Sequence, residues 1–165
     1  MIVILLVMLP SLINIVRFGH FDLKPDLTEI ISLVIQVMTT AIWEEMCFRY
    51  LGIVTVDGKI NYKTGVWLSG LFALQHIINL IYMPLTDVLF QMILAYSVGL
   101  YLLGIYKMYD NVWMLIASHF MLNLTSKLPH LLQSSTVTFL PANVTEILSW
   151  LIMAAMVTTG VIFVQ

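Results

Sequence analysis

Charged residues are scarce in this chain. Aspartate, glutamate, lysine and arginine make up 10% of its 165 residues, whereas hydrophobic residues make up 61%. A soluble domain carries about 25% charged residues. Because so few polar side chains cannot cover a water-exposed surface, the composition excludes an ordinary soluble domain and predicts an integral membrane protein. The net charge of −2 is also too small for a nucleic-acid-binding protein.

Cysteine is nearly absent, and basic residues are absent from the first sixteen positions. Cys47 is the single cysteine, which excludes an intramolecular disulfide. The apolar run at 1–16 contains no lysine or arginine and is followed by no small-residue cleavage site. A removable signal peptide is therefore not expected, and the run is predicted to form a first membrane helix.

Six long apolar stretches are present instead. They lie near 1–16, 27–53, 64–82, 86–107, 111–127 and 143–164. Each approaches the ~20 residues that span ~30 Å of hydrocarbon, and backbone groups in lipid must be bonded within the segment. The sequence therefore predicts an all-α polytopic bundle of about six membrane helices around a polar intramembrane cavity. It predicts one domain, 1–165, and a loop from 126 to 141.

The predicted loops do not fix the orientation of the chain in the membrane. The positive-inside rule compares lysine and arginine on the two faces. One face would carry Arg17, Lys24 and Lys127, and the other would carry Lys59, Lys63 and Lys107. The charge bias is therefore zero.

A few polar residues interrupt the apolar stretches. Three ionisable groups lie within 43–49, and two histidines and an asparagine lie further along; they are Glu44, Glu45, Arg49, His76, His119 and Asn123. A charge at mid-bilayer costs about 2.5–3.5 kcal/mol, and such residues mark functional sites. At 1.5 Å per residue, Glu44, His76 and His119 lie roughly 14, 18 and 12 Å from the face that carries the 54–63 and 107–111 loops. We expect them at a similar depth.

Spacing separates the roles of these residues. Glu45 and Arg49 are four residues apart, so they share a helix face and are expected to pair. Glu44 lies about 100° around the helix and has no lysine or arginine three or four residues away. His119 and Asn123 also share one face. A carboxylate can take a proton from water, a histidine can orient that water, and a His/Asn pair can donate to an oxyanion.

Three motifs contain these residues. They are E-E-x-x-x-R at 44–49, F-x-x-x-H at 72–76 and H-x-x-x-N at 119–123. Each motif is weak alone, but all three occur in order, each on its own apolar stretch. In this the chain resembles the CAAX prenyl protease and bacteriocin-processing family, also called the Abi family. The resemblance covers about 30–128.

The resemblance implies an intramembrane endopeptidase of the glutamate type. By this resemblance Glu44 is the general base, and His76 helps to position the water. His119 and Asn123 would build the oxyanion hole, and Glu45 with Arg49 would orient the motif helix. We expect Phe72 to pack beside the site.

The resemblance also implies the partners and the place of the protein. The substrate would be a membrane-associated peptide, either a lipidated tail or a leader peptide of the kind found in bacteriocin and pheromone precursors. No metal or other cofactor is expected, and membrane lipids are the other partners. The chain is expected in a bacterial cytoplasmic membrane, with its active site opening to the cytosol.

Other interpretations remain open. Glu44, Glu45, His76 and His119 offer nitrogen and oxygen ligands for zinc, although no H-E-x-x-H motif is present. Cys47 is a poor nucleophile candidate because two neighbouring carboxylates disfavour a thiolate. No G-x-S-x-G occurs. The main alternative is a non-catalytic immunity or scaffold protein whose polar residues join helices. A proton or ion pathway is a weaker one.

Overall fold

Five helices make up the part of the chain that the computed structural model describes, which comprises residues 26–55, 60–131 and 141–165. We number them α1 (Leu27–Thr55), α2 (Tyr62–Ile81), α3 (Leu85–Tyr109), α4 (Val112–Leu131) and α5 (Ala142–Val164). No strand occurs in these ranges. The all-helical prediction is confirmed there, and the predicted span at 1–16 lies outside the described residues.

Four of these helices are long and apolar enough to cross a membrane. The qualifying segments are Leu27–Thr55, Tyr62–Ile81, Leu85–Tyr109 and Asn143–Val164. The helix α4 is not among them, and it carries the polar side chains of His119, Asn123 and Lys127. The membrane-protein class therefore rests on four helices, and the count of about six stays a prediction.

Two helices change their winding partway along. The helix α1 is α-helical over Leu27–Glu44, π-helical over Glu45–Leu51 and α-helical again over Gly52–Thr55. The helix α2 is α-helical over Tyr62–Leu74 and adopts 3₁₀ geometry over Gln75–Ile81. Departures of both kinds inside helices often mark functional sites. Here they coincide with the first and second sequence motifs.

The described residues divide into two compact units. One unit comprises 26–42, 116–131 and 141–152, and the other comprises 43–55, 60–115 and 153–165. In the second unit, buried residues concentrate in the C-terminal half of α3, where Leu100, Tyr101, Leu102, Leu103 and Ile105 are at most 1% exposed. The core of this unit is therefore built around α3.

Small residues let the α5 segment of the second unit approach α3 closely. A Cβ atom at Gly160 would lie 2.7 Å from the carbonyl carbon of Leu100 and 2.9 Å from the nitrogen of Tyr101. Both atoms belong to backbone that cannot move aside easily, so glycine is required here. Near the C-terminal ends of α3 and α5, Lys107 Nζ donates to the carbonyl oxygen of Val164 at 2.8 Å.

Polar side chains begin α2 and α4. Asn61 accepts from the backbone N–H of Thr64, and the Thr64 hydroxyl oxygen accepts from the backbone N–H of Asn61, which forms a capping box. Asn111 accepts from the backbone N–H groups of Trp113 and Met114 in the same way. These contacts satisfy helix-terminal donors that would otherwise lack partners.

The predicted start of the 126–141 loop is wrong, because α4 continues to Leu131. The hydroxyl groups of Thr125 and Ser126 donate to the carbonyl oxygens of Met121 and Asn123 at 2.6 and 2.9 Å. These side chains are satisfied by their own helix, so their polarity does not end it.

Candidate active site

The first motif lies at the junction between the α-helical and π-helical parts of α1. Glu44 is the last α-helical residue, and Glu45 opens the π-helical turn. Although the two are neighbours in the sequence, Glu44 is half-buried and Glu45 is fully buried. The junction therefore gives two adjacent carboxylates different surroundings.

Glu45 and Arg49 form the ion pair that their spacing predicts. Arg49 Nη1 lies 3.2 Å from Glu45 Oε1, and both side chains are buried. Arg49 Nη2 makes no hydrogen bond within the described part of the chain. A buried pair of this kind is destabilising to break, because removal of one partner leaves the other charge uncompensated.

Phe72 connects the first motif to the second. The Arg49 guanidinium carbon lies 3.8 Å from the centroid of the Phe72 ring. The ring of Phe48 packs edge-on against the Phe72 ring, with 5.5 Å between the two centroids. Phe72 is 2% exposed. A desolvated guanidinium over an aromatic face is a favourable contact. Phe72 therefore holds the charged residue of α1 against α2, which is more than the packing role that its motif position predicts.

His76 stands one helical turn after Phe72, at the start of the 3₁₀ segment. Its Nδ1 lies 3.2 Å from the carbonyl oxygen of Phe72, and the two rings meet edge-on at 5.6 Å. A carbonyl oxygen only accepts, so Nδ1 carries the hydrogen in this contact. In the neutral ring, Nε2 then presents a lone pair.

Glu44 also acts on the Arg49 charge. The guanidinium interacts electrostatically with both carboxylates, more strongly with Glu45 than with Glu44. The sequence suggested a Glu44 without a nearby cation, because none lies at helical spacing. The structure adds an electrostatic interaction with Arg49, which lies five residues after Glu44.

His119 and Asn123 lie on α4, in the other compact unit. His119 is 4% exposed, and Asn123 is half-buried. The backbone carbonyl of Asn123 accepts from the Ser126 hydroxyl. The structure thus gathers Glu44, Glu45, Arg49, Phe72 and His76 in one unit and the His119/Asn123 pair in the other. The shared catalytic role of the two groups stays a prediction.

Three polar residues near His76 were missed from the sequence. Asn79 Nδ2 donates to Gln91 Oε1 at 2.7 Å, which joins α2 to α3. The Tyr82 hydroxyl donates to Asn79 Oδ1 in a short hydrogen bond. The only sequence signal is the three-residue spacing of His76, Asn79 and Tyr82, which becomes informative once 3₁₀ geometry is known.

Metal ligands do not cluster in the described ranges. Within 26–55, 60–131 and 141–165, no three histidine, cysteine, aspartate or glutamate side chains are close enough to hold one ion. Zinc binding is therefore supported only by the chemical types of the candidate ligands. It stays a hypothesis for direct measurement.

Comparison with known proteins identifies the family. Residues 26–125 match the family model described as type II CAAX prenyl endopeptidase, Rce1-like. No curated protein and no solved structure matches the chain. The matched region begins just before α1, extends past Asn123 and includes all three motifs. Because it covers more than half of the 165 residues, the chain belongs to the Rce1-like family of type II CAAX prenyl endopeptidases.

Proposed function

We propose that this protein is an intramembrane endopeptidase that hydrolyses a membrane-associated peptide with a water molecule activated by Glu44. Membership of a CAAX prenyl endopeptidase family supports peptide-bond cleavage in general. It also makes a peptide with a prenylated C-a-a-X end the first substrate class to test. Leader peptides of bacteriocin or pheromone precursors are the second class.

The observation that carries the proposal is the contact between His76 and Phe72. With its Nδ1 hydrogen donated to the Phe72 carbonyl, a neutral His76 offers Nε2 as an acceptor. An acceptor of this kind can accept a hydrogen bond from a water molecule, which fixes the direction of the lone pairs on the water oxygen. This contact supports a role for His76 in orienting water.

The two glutamates are suited to different tasks. Glu45 is fully buried in its ion pair with Arg49, so its carboxylate is committed to a structural contact. Glu44 is half-buried, so part of its side chain lies at the surface of the protein. Glu44 is therefore the better general base, and Glu45 with Arg49 is the better positioning pair.

The proposed reaction is a hydrolysis without a covalent enzyme intermediate. Glu44 accepts a proton from water as the water oxygen bonds to the carbonyl carbon of the substrate. The carbonyl oxygen becomes an oxyanion, and the family resemblance assigns its hydrogen-bond donors to His119 and Asn123. The C–N bond then breaks, and the proton held by Glu44 passes to the leaving nitrogen. One water is consumed, and a carboxylate and an amine are released.

This scheme uses protein groups alone, so we propose that no metal is required. Activity that persists in a strong chelator supports the proposal. Activity that is lost in chelator and restored by zinc contradicts it, and the zinc ligands are then to be sought among Glu44, Glu45, His76 and His119.

The experiment uses protein in lipid vesicles and a synthetic peptide with a prenylated C-a-a-X end. We expect cleavage by the wild type and none by Glu44→Ala or His76→Ala, each checked for insertion and folding. Glu29→Ala is the matched control, because Glu29 is an exposed carboxylate in the first turn of the same helix. Full activity of Glu44→Ala contradicts the assignment.

The same assay separates the alternatives. A folded wild type that binds the peptide but never cleaves it supports an immunity or scaffold protein. Proton flux in vesicles without peptide supports an ion pathway. Family membership favours the protease over both.

A further inference from the structure

A line of polar side chains follows His76 along one face of α2. In 3₁₀ geometry there are three residues per turn, so His76 and Asn79 lie one above the other, and Tyr82 follows directly at the end of the segment. His76 and Asn79 are half-buried, whereas Tyr82 is 72% exposed. The line therefore leads from the candidate catalytic histidine to an exposed ring at the end of the helix.

The hydrogen bonds along this line occupy the side-chain oxygens of Gln91 and Asn79 and leave the N–H donors of the Gln91 amide. Gln91 Oε1 accepts from Asn79, and Asn79 Oδ1 accepts from Tyr82. The amide nitrogen of Gln91 makes no hydrogen bond within the described part of the chain. Gln91 is half-buried, so part of its side chain remains accessible at the protein surface. Its N–H groups are therefore suited to an incoming acceptor.

We propose that the Asn79–Gln91 amide pair is a subsite for the backbone of the peptide substrate, with Gln91 Nε2 as donor to a substrate carbonyl oxygen. This inference rests on the proposed function, because it places the subsite relative to the bond that is cleaved. Asn79, which itself accepts from Tyr82, fixes the oxygen side of the Gln91 amide and leaves the nitrogen side for the substrate.

The spacing along this line of polar side chains determines which substrate carbonyl is bound. One 3₁₀ turn advances about 6 Å from His76 to Asn79, and Asn79 donates directly to Gln91, which carries the proposed donor. An extended peptide advances about 3.3–3.4 Å per residue, so 6 Å corresponds to about two residues. We therefore expect the bound carbonyl about two residues from the cleaved bond. Recognition of a backbone group is independent of side-chain identity, so sequence preference must come from other contacts.

The test weakens one substrate carbonyl at a time. Each backbone amide of the prenylated C-a-a-X peptide is replaced in turn by an ester, whose carbonyl is a poorer acceptor. For the wild type in vesicles, we expect kcat/KM to fall about fivefold, the effect of one net hydrogen bond, at one position two residues from the cleaved bond. An equal loss at every position, or at none, overturns the proposal.

A variant then assigns the effect to Gln91. Gln91→Leu is expected to raise KM about fivefold with little change in kcat, and the sensitive ester is expected to cause no further loss in this variant. Thr158→Val is the control, because Thr158 is exposed on α5 and its hydroxyl donates only to the Ala154 carbonyl. If the fold-loss from Gln91→Leu and the fold-loss from the ester multiply when the two are combined, there is no direct contact between Gln91 and that carbonyl.

A binding measurement separates failure of the subsite from failure of the proposed function. Peptide affinity is measured with vesicle-embedded Glu44→Gln, with and without Gln91→Leu. An affinity about fivefold weaker in the double variant supports the subsite even if the wild type cleaves nothing. Equal affinities overturn the subsite whether or not the wild type is a protease.

Discussion

The guanidinium carbon of Arg49 lies 3.8 Å from the centre of the Phe72 ring, which joins the first motif to the second. On one side, Arg49 is paired with Glu45. On the other side, the Phe72 carbonyl oxygen accepts the Nδ1 hydrogen of His76. A continuous series of contacts therefore runs from the buried carboxylate of α1 to the histidine of α2.

The Phe72 ring is predicted to support both stability and catalysis. Phe72→Leu removes the aromatic face under Arg49 and the edge contact with His76, so we expect a loss of about 1–3 kcal/mol in the free energy of unfolding and a lower kcat. Phe72→Tyr keeps the ring and is the matched control. Unfolding in detergent and peptide cleavage measure the two effects. Equal behaviour of the two variants would show that the ring face is unimportant.

Removal of either partner of the Glu45–Arg49 ion pair is predicted to lower stability, because the remaining charge is buried without compensation. Arg49→Met strands the Glu45 carboxylate in a buried position, and we expect it to cost about 3–5 kcal/mol of unfolding free energy. Glu45→Gln strands the guanidinium in the same way. The double variant should lose less than the sum of the two single losses, as measured by a double-mutant cycle. Additive losses would contradict a direct interaction between the two side chains.

The sequence predicts local features of this protein well. The approximate positions of five helices follow from apolar run length, and the pairing of Glu45 with Arg49 follows from their spacing of four residues. Both depend on residues that are close in the chain. The membrane class follows from composition, because a scarcity of charge needs no knowledge of packing.

Features that depend on packing between helices were not predictable. The contact of Arg49 with Phe72 and the amide pair of Asn79 with Gln91 each join two different helices. The π-helical and 3₁₀ turns have no sequence signature of their own, so the alignment of His76 with Asn79 was hidden. The end of α4 was misplaced because side-chain polarity was read as a loop signal.

The close approach of α5 to α3 gives a pair of glycine predictions. Gly160→Ala would put a Cβ within 2.9 Å of backbone atoms of Leu100 and Tyr101, so we expect lower stability and loss of packing in the second unit. Gly70→Ala is the control, because nothing lies within 4 Å of its added Cβ. It should be neutral or stabilising by about 0.5–1 kcal/mol, since alanine favours helix.

Thermal unfolding in detergent compares these two glycine variants. A Gly160→Ala protein as stable as Gly70→Ala would mean that the two helices are not in close contact.

The proposed orientation can be tested with single cysteines in a Cys47→Ala background. Lys63 and Asp87 are exposed and lie near opposite ends of the α2–α3 pair. If the active site opens to the cytosol at the Lys63 end of this pair, an impermeant thiol reagent added to intact cells should label Asp87→Cys, and it should label Lys63→Cys only after permeabilisation. The reverse pattern would place the Lys63 end outside.

The central claim is that Glu44 activates the water that cleaves the peptide, and the most direct test follows that water. The prenylated peptide is incubated with vesicle-embedded protein in water labelled with heavy oxygen, and the products are weighed by mass spectrometry. We predict two products from the wild type and Glu29→Gln, with one heavy oxygen in the new carboxylate, and no products from Glu44→Gln. Labelled products formed by Glu44→Gln at the wild-type rate would contradict the account.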